Sequence, residues 1–319
     1  MSTIYIFWVI AEYIKDTKAK YAFITIATIA IIYPNIKHIM EYMVPTVFKN
    51  KEVQDLAKLQ KISTDKDYTL TWWDYGYPIW YYSDTSTLID GGKHNNDNFI
   101  ISKIMQTSSP RLAANLSRLA VETYVDSNYS VVSNTIFKNG KKDQIDPNEF
   151  LLKLDSKEFK LPKKTRDVYL YMPYRMLDIF PTVTLFGNLD LTTGKKLRDI
   201  AFYPSRVVKN TNGLLQFSNG IRFDTKKGLL YFGSNIQKVK YFVVTQNTKG
   251  EEIKVQAQRY HANAPFVVLY MKSYERFIVM DIQTANSIYV QMFILGQYDH
   301  NLFELVVSSP YSRIYKLKI

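Results

Sequence analysis

Apolar and polar positions recur with two different periods along this chain, and the change of period divides it. Near the start, Tyr21–Tyr33 is a run of 13 residues without a charge. At ~1.5 Å per residue a helix of that length covers about 20 Å, against a hydrocarbon core of ~30 Å. Lys20 and Lys37 could snorkel and lengthen it, and Tyr21 and Tyr33 stand where interfacial aromatics belong. A buried helix of a soluble domain fits the length equally well. A second apolar run, Ile4–Ile10, precedes it across Lys15, Lys18 and Lys20. It reads as the tail of an earlier membrane helix. Positive charge before the Tyr21–Tyr33 run predicts that this end faces the cytoplasm and the bulk of the chain lies outside. A cleaved signal peptide fits poorly, because no basic segment precedes Ile4 and no small-residue cleavage site follows.

Pro34 and Pro45 bracket a short amphipathic connector. Lys51–Ile62 then carries Val53, Leu56, Leu59 and Ile62 on one helical face. Phe99–Met105 and Pro110–Tyr124 have the same period, the second with Pro110 in its first turn. Asp143–Leu152 and Asp167–Leu185 read as mostly helical, with Pro173 and Pro181 interrupting the latter. From about Thr184 the period shortens. Asn212-Gly213 and Asn219-Gly220 are hairpin turn signals. Around them lie Leu214–Ser218, Leu229–Phe232, Val239–Thr245, Ile253–Arg259, Phe266–Tyr270 and Phe277–Asp281, each a short strand-like run. Helical pattern resumes at Thr284–Leu295, and Arg313–Ile319 reads as a closing strand. The expectation is an α+β chain. Residues 1–45 form membrane segments and connector, 46–183 with 282–319 a mostly helical core, and 184–281 a β-rich insertion.

Composition narrows the partners. The net charge of +12, from 41 basic and 29 acidic residues, suits nucleic acid, an anionic membrane or a phosphorylated ligand. The lysines are scattered and no nucleic-acid motif stands out, so no nucleic-acid partner is expected. With no cysteine, disulfides and thiolate chemistry are excluded. His38, His94, His261 and His300 are too widely separated for zinc-ligand spacing.

Chemistry concentrates in Trp72-Trp73-Asp74-Tyr75-Gly76-Tyr77. An indole N–H donates and cannot accept, whereas an ionised carboxylate only accepts. Two donors and an acceptor on an apolar wall suit a group that does both, such as a Ser or Thr hydroxyl. Gly76 lets the backbone turn where a side chain would obstruct. On residue type alone, core packing is the commoner use of such aromatics. Met176, Ile179 and Val183 share one helical face at i, i+3 and i+7, and spacing alone again favours core packing.

Trp-Trp-Asp-Tyr-Gly, followed by Tyr77-Pro78, Tyr81-Tyr82-Ser83-Asp84 and Asp90-Gly91-Gly92-Lys93-His94, resembles the catalytic subunit of N-linked oligosaccharyltransferases. The likeness is to the single-subunit enzymes of Campylobacter-like bacteria, and it runs with gaps from about Pro34 to the C-terminus. Met176-Leu177-Asp178-Ile179-Phe180-Pro181-Thr182-Val183 matches that family's second motif, Met-x-x-Ile-x-x-x-Val. The resemblance implies a membrane half of many helices and a periplasmic half, a helical core interrupted by a β-barrel-like insertion. It implies that Trp72, Trp73 and Asp74 bind the hydroxyl of an Asn-x-Ser/Thr acceptor, and that Ile179, beside Met176 and Val183, touches a Thr methyl. Tyr77 would lie by an undecaprenyl-pyrophosphate-linked oligosaccharide, with Lys93, and less so His94, meeting phosphate. Mg²⁺ or Mn²⁺ would be held by carboxylates of the membrane half. Nothing in Met1–Asn50 matches those loops, so the chain is expected to contribute no catalytic or metal residue by itself. It then represents part of a longer protein, or a split subunit pairing with a separate membrane half. Where bacterial relatives carry an Arg, this chain has Trp80, which removes a charge beside the donor site. Asp126-Ser127-Asn128-Tyr129-Ser130 is itself an acidic sequon, making Asn128 a candidate glycosylation site. Two alternatives stay open: an inactive peptide-binding fragment, and a membrane-anchored carbohydrate-binding or envelope scaffold using the Tyr-rich β region.

Overall fold

The structure is a computed structural model that describes residues 3–42, 48–138, 144–248 and 252–319. Pro45 and Asp143, two of the expected boundaries, lie outside the described residues. The chain forms two compact units, Met1–Lys49 and Asn50–Ile319.

The first unit is a helical pair, α1 (Thr3–Glu12) and α2 (Thr17–Glu41). Asp16 caps α2 by accepting a hydrogen bond from the Ala19 N–H at 2.8 Å. Phe7 and Phe23 meet edge to face with ring centroids 6.0 Å apart. Helix α2 continues through Pro34, so that proline does not open a connector, as its sequence context suggested. Its 25 residues reach about 38 Å, enough for a hydrocarbon core. Among the described residues it is the one helix long and apolar enough to cross a membrane, and only 6% of its apolar window is buried.

The second unit begins with α3 (Asn50–Gln60), β1 (Tyr68–Leu70), α4 (Gly76–Ser83), α5 (Asp97–Gln106), α6 (Pro110–Asp126), α7 (Val132–Ile136) and α8 (Pro147–Leu154). Strand β2 (Val168–Pro173) and helix α9 (Met176–Gly187) follow. The Asp167–Leu185 stretch is therefore helical only in its second half. All six residues of β2 are buried, so they show no alternation, and a continuous apolar run does not distinguish a central strand from a helix. β2 pairs parallel with β1 and antiparallel with the late strand β13 (Ser312–Leu317). With β12 (Phe303–Ser308), on β13's other edge, they make a four-stranded sheet ordered β1-β2-β13-β12. Helix α3 is tied to this sheet by Asp55, which accepts from the Ser312 hydroxyl at 2.8 Å.

Between α9 and β12 the chain builds a nine-stranded sheet. Its members are β3 (Phe202–Ser205), β4 (Val207–Thr211), β5 (Leu214–Phe217), β6 (Arg222–Asp224), β7 (Leu229–Phe232), β8 (Asn235–Asn247), β9 (Ile253–Arg259), β10 (Phe266–Met271) and β11 (Arg276–Asp281). The order runs β3-β11-β10-β8-β7-β6-β5-β4, with β9 on β8. Its two ends, β3 and β4, are separated in sequence only by Arg206, so the sheet curls almost into a barrel. Asn212 (φ 52°) and Gly213 (φ 94°) both occupy the left-handed region, which is what a two-residue hairpin turn demands. Leu215, Phe217, Phe223, Leu230, Val268 and Val279 fill the interior.

Asp281 joins barrel to core. Its carboxylate accepts from the Arg198 guanidinium at 3.0 Å, the Ala201 N–H at 2.8 Å and the Thr284 N–H at 2.8 Å. Burial alone raises its pKa, but these bonds outweigh burial and hold it below the usual carboxylate value. The expected Thr284–Leu295 helix is broken into α10 (Ile282–Ala285) and a π-helical turn, Val290–Ile294.

Candidate functional site

The aromatic motif sits where β1 ends. Thr71 and Trp72 leave the strand, Trp73–Tyr75 form one 3₁₀ turn, and Gly76 opens α4. Gly76 has ordinary helical angles, φ −59° and ψ −54°, so turning is not why a glycine is there. A Cβ on it would stand 2.4 Å from Asp90 Cβ and 2.7 Å from Asp90 Cα. Glycine lets the α4 start press against the Asp90 backbone. Asp90 in turn accepts from the Gly92 N–H at 2.8 Å, which shapes the following loop.

The motif side chains divide. Trp72 is 1% exposed and packs on Phe186 of α9, with centroids 5.2 Å apart. It fills core. Trp73 is half-buried and lies on the His94 ring at 4.1 Å. Asp74 is exposed. Among the described residues nothing hydrogen-bonds the Trp73 indole N–H or the Asp74 carboxylate. Partial desolvation raises the Asp74 pKa, and the nearby His94 pulls it partly back.

The second motif divides in the same way. Met176 and Val183 are 0% exposed, so they anchor α9 in the core, out of reach of any ligand at the surface. Ile179 is the one of the three with exposed surface. Helix α9 is held closely against α5: the Ser102 hydroxyl donates to the Val183 carbonyl and accepts from the Gly187 N–H at 2.7 Å. A Cβ on Gly187 would meet the Lys103 backbone nitrogen at 2.8 Å. At the start of α9, Arg175 grips the buried Glu52 of α3 with two bonds, 2.8 and 2.9 Å. Phe186, Glu52 and Arg175 thus position the two motifs. Periodicity did not single them out, although Arg175 abuts the second motif.

Tyr77 is exposed, and its ring covers Gly91 and Gly92: Cβ atoms there would lie 2.7 Å from Tyr77 Cε2 and from its hydroxyl. Lys93 approaches Asp90 at 3.7 Å and lies over the Trp80 ring, 4.9 Å from its centroid. The cationic head of Lys93 therefore occupies the neighbourhood of Trp80. Asn128, at φ 55°, is exposed just past α6. Among the described residues no three His, Cys, Asp or Glu converge as a metal site, so these residues do not fit the divalent cation the resemblance implies.

The chain is similar to known proteins over most of its length. Residues 65–193 match the STT3/PglB/AglB core domain and residues 201–280 the STT3/PglB C-terminal beta-barrel domain. The chain is 40% identical over 309 residues to the undecaprenyl-diphosphooligosaccharide–protein glycotransferases of two Campylobacter jejuni strains, covering 93% of itself. It spans 43% of the length of those relatives. A crystal structure of the C. jejuni PglB C-terminal domain matches 84% of this chain and all of its own, with 37% identity and a TM-score of 0.73. The chain belongs to the STT3/PglB family and corresponds to the C-terminal part of its bacterial single-subunit members.

Proposed function

We propose that this chain is the acceptor-binding part of an undecaprenyl-diphosphooligosaccharide–protein glycotransferase, which moves a glycan from a lipid pyrophosphate carrier to the Asn of Asp/Glu-x-Asn-x-Ser/Thr. One observation carries the reading: half-buried Trp73 and exposed Asp74 stand next to each other on the 3₁₀ turn, with donor and acceptor both unmet by the described residues. The hydroxyl two residues after the acceptor Asn donates to the Asp74 carboxylate and accepts from indole N–H. Trp72 contributes mainly as the packed support on Phe186. Ile179 meets a Thr methyl and favours Thr over Ser by about 1 kcal/mol, a methyl's worth of burial. Met176 and Val183 hold Ile179 in place.

Tyr77, Lys93 and His94 form the side nearest the lipid-linked donor, where Lys93 offers a cation to pyrophosphate. Mg²⁺ or Mn²⁺ chemistry belongs to carboxylates elsewhere in the whole enzyme, or on a separate membrane half, and would polarise the acceptor amide and steady the leaving group. Helix α2 spans the inner membrane with Lys15, Lys18 and Lys20 on the cytoplasmic side, which puts Asn50–Ile319 in the periplasm. Asn128, exposed in its own acidic sequon, is a glycan acceptor in a glycosylating host.

The test is glycosylation of an acceptor peptide by a full-length enzyme carrying Asp74→Ala. A pocket built for a hydroxyl loses strongly when its own polar group is removed, so turnover falls about 100-fold or more. Unchanged turnover refutes the assignment.

A further inference from the structure

A pocket of about 330 Å³ opens beside the motif turn, lined by Asn95, Asn98, Phe99, Ser133, Phe186 and Leu191 among others. One ring contact and one step along the chain tie it to the motif turn. Phe186, one of its walls, packs on Trp72. Asn95 follows His94, whose ring lies on Trp73.

Its polar groups are unusual. Asn98 is 6% exposed and Ser133 2% exposed, yet Asn98 Oδ1 and Ser133 Oγ have no hydrogen-bond partner among the described residues. Buried polar atoms are nearly always paired, so two such orphans on one pocket call for an external partner. The neighbouring Asp97 carboxylate accepts from the Val132 and Ser133 N–H groups at 3.0 and 2.8 Å and also draws the Ser133 hydroxyl proton toward itself, so that hydroxyl faces a ligand as an acceptor. Asn98 Oδ1 can only accept, and the Ser133 oxygen, its proton directed to Asp97, has lone pairs left to accept. A main-chain amide N–H, a donor, is complementary to these acceptors. Phe99, Phe186 and Leu191 supply an apolar wall for the attached side chain.

We propose that this pocket is a subsite for the acceptor polypeptide just after its hydroxyl residue, binding one main-chain amide and an apolar side chain. The proposal rests on the sequon-binding reading above. The acceptor Asn precedes the hydroxyl by two residues and must face the glycan donor, so the segment free to run along this chain is the one that follows.

The test is binding of capped peptides to the full chain. One ends at the hydroxyl, Asp-Ala-Asn-Ala-Thr, and the other continues with Leu-Ala. Extension tightens binding about tenfold, the scale of one or two added buried contacts. Leu191 is 36% exposed at the rim, so Leu191→Trp fills the pocket without opening the core. In that variant the ratio between the two peptides falls to about one, and Ser133→Ala lowers it in part; near-UV circular dichroism checks that each is folded. If the short peptide binds but extension adds nothing, or the gain survives Leu191→Trp, the subsite is overturned and the sequon reading stands. If the short peptide does not bind, both fall. If a neutral oligosaccharide alone shifts the Asn98 and Ser133 amide resonances, the pocket is a sugar site and the peptide assignment is overturned.

Discussion

The 3₁₀ turn and helix α9 each carry a conspicuous run of residues, and burial splits both runs in the same manner. On the turn, Trp72 is core while Trp73 and Asp74 reach the surface. On the helix, Met176 and Val183 are core while Ile179 is part-exposed. Each motif therefore gives part of its residues to the core and leaves the rest accessible. The two acids Asp74 and Asp281 repeat the contrast. Asp281 is met by hydrogen bonds and its pKa is depressed, whereas Asp74 goes unmet and its pKa is raised. An exposed carboxylate with a raised pKa and no hydrogen-bond partner among the described residues is what the proposed hydroxyl site requires.

The largest expected effect separates the two halves of α9. Met176→Ala removes a fully buried side chain and costs about 2–5 kcal/mol of stability. Ile179→Ala costs about 1 kcal/mol or less, but erases the preference for Thr over Ser acceptors. Chemical denaturation and paired Thr/Ser peptide titrations measure the two. Similar stability losses with the Thr preference intact would break the division.

A smaller effect lies in pH. A raised folded-state pKa at Asp74 means its charge opposes folding: the stabilising contribution is full below the unfolded value near ~3.9 and is lost as pH rises through the folded value. Asp74→Asn is thus neutral to stabilising at pH 7, with the gain shrinking as pH falls through that window. Hydroxyl binding needs the carboxylate and fades on acidification through the same raised pKa. Asp281 runs oppositely: its contribution is present above the unfolded pKa and disappears as pH falls through its depressed one. Melting temperatures of Asp74→Asn and Asp281→Asn across pH 3–7 that move in the same direction would contradict this.

Much of the scaffold was legible in the sequence. Apolar spacing located α3, α5 and α6, and the Asn-Gly pairs located two turns of the barrel. The sheet behind the site was largely hidden. Val168–Pro173 is buried on both faces, so its side chains alternate without changing polarity, and its parallel partner β1 lies about a hundred residues earlier. Pro34 read as a break because local rules weigh it against a continuous helix. The motif word singled out Trp72-Trp73-Asp74, but composition does not say which of two adjacent indoles turns inward. That choice is made by Phe186, which only the fold brings near. The role of Gly76 was half legible: space, not turning, is what it supplies, and the crowding atom belongs to Asp90.

The most direct measurement compares this chain's affinity for two capped peptides, Asp-Ala-Asn-Ala-Thr and its near-isostere Asp-Ala-Asn-Ala-Val. The two differ by a hydroxyl against a methyl. If Trp73 and Asp74 grip that hydroxyl, the Val peptide binds about 100-fold more weakly. Equal affinities for the two would contradict the account.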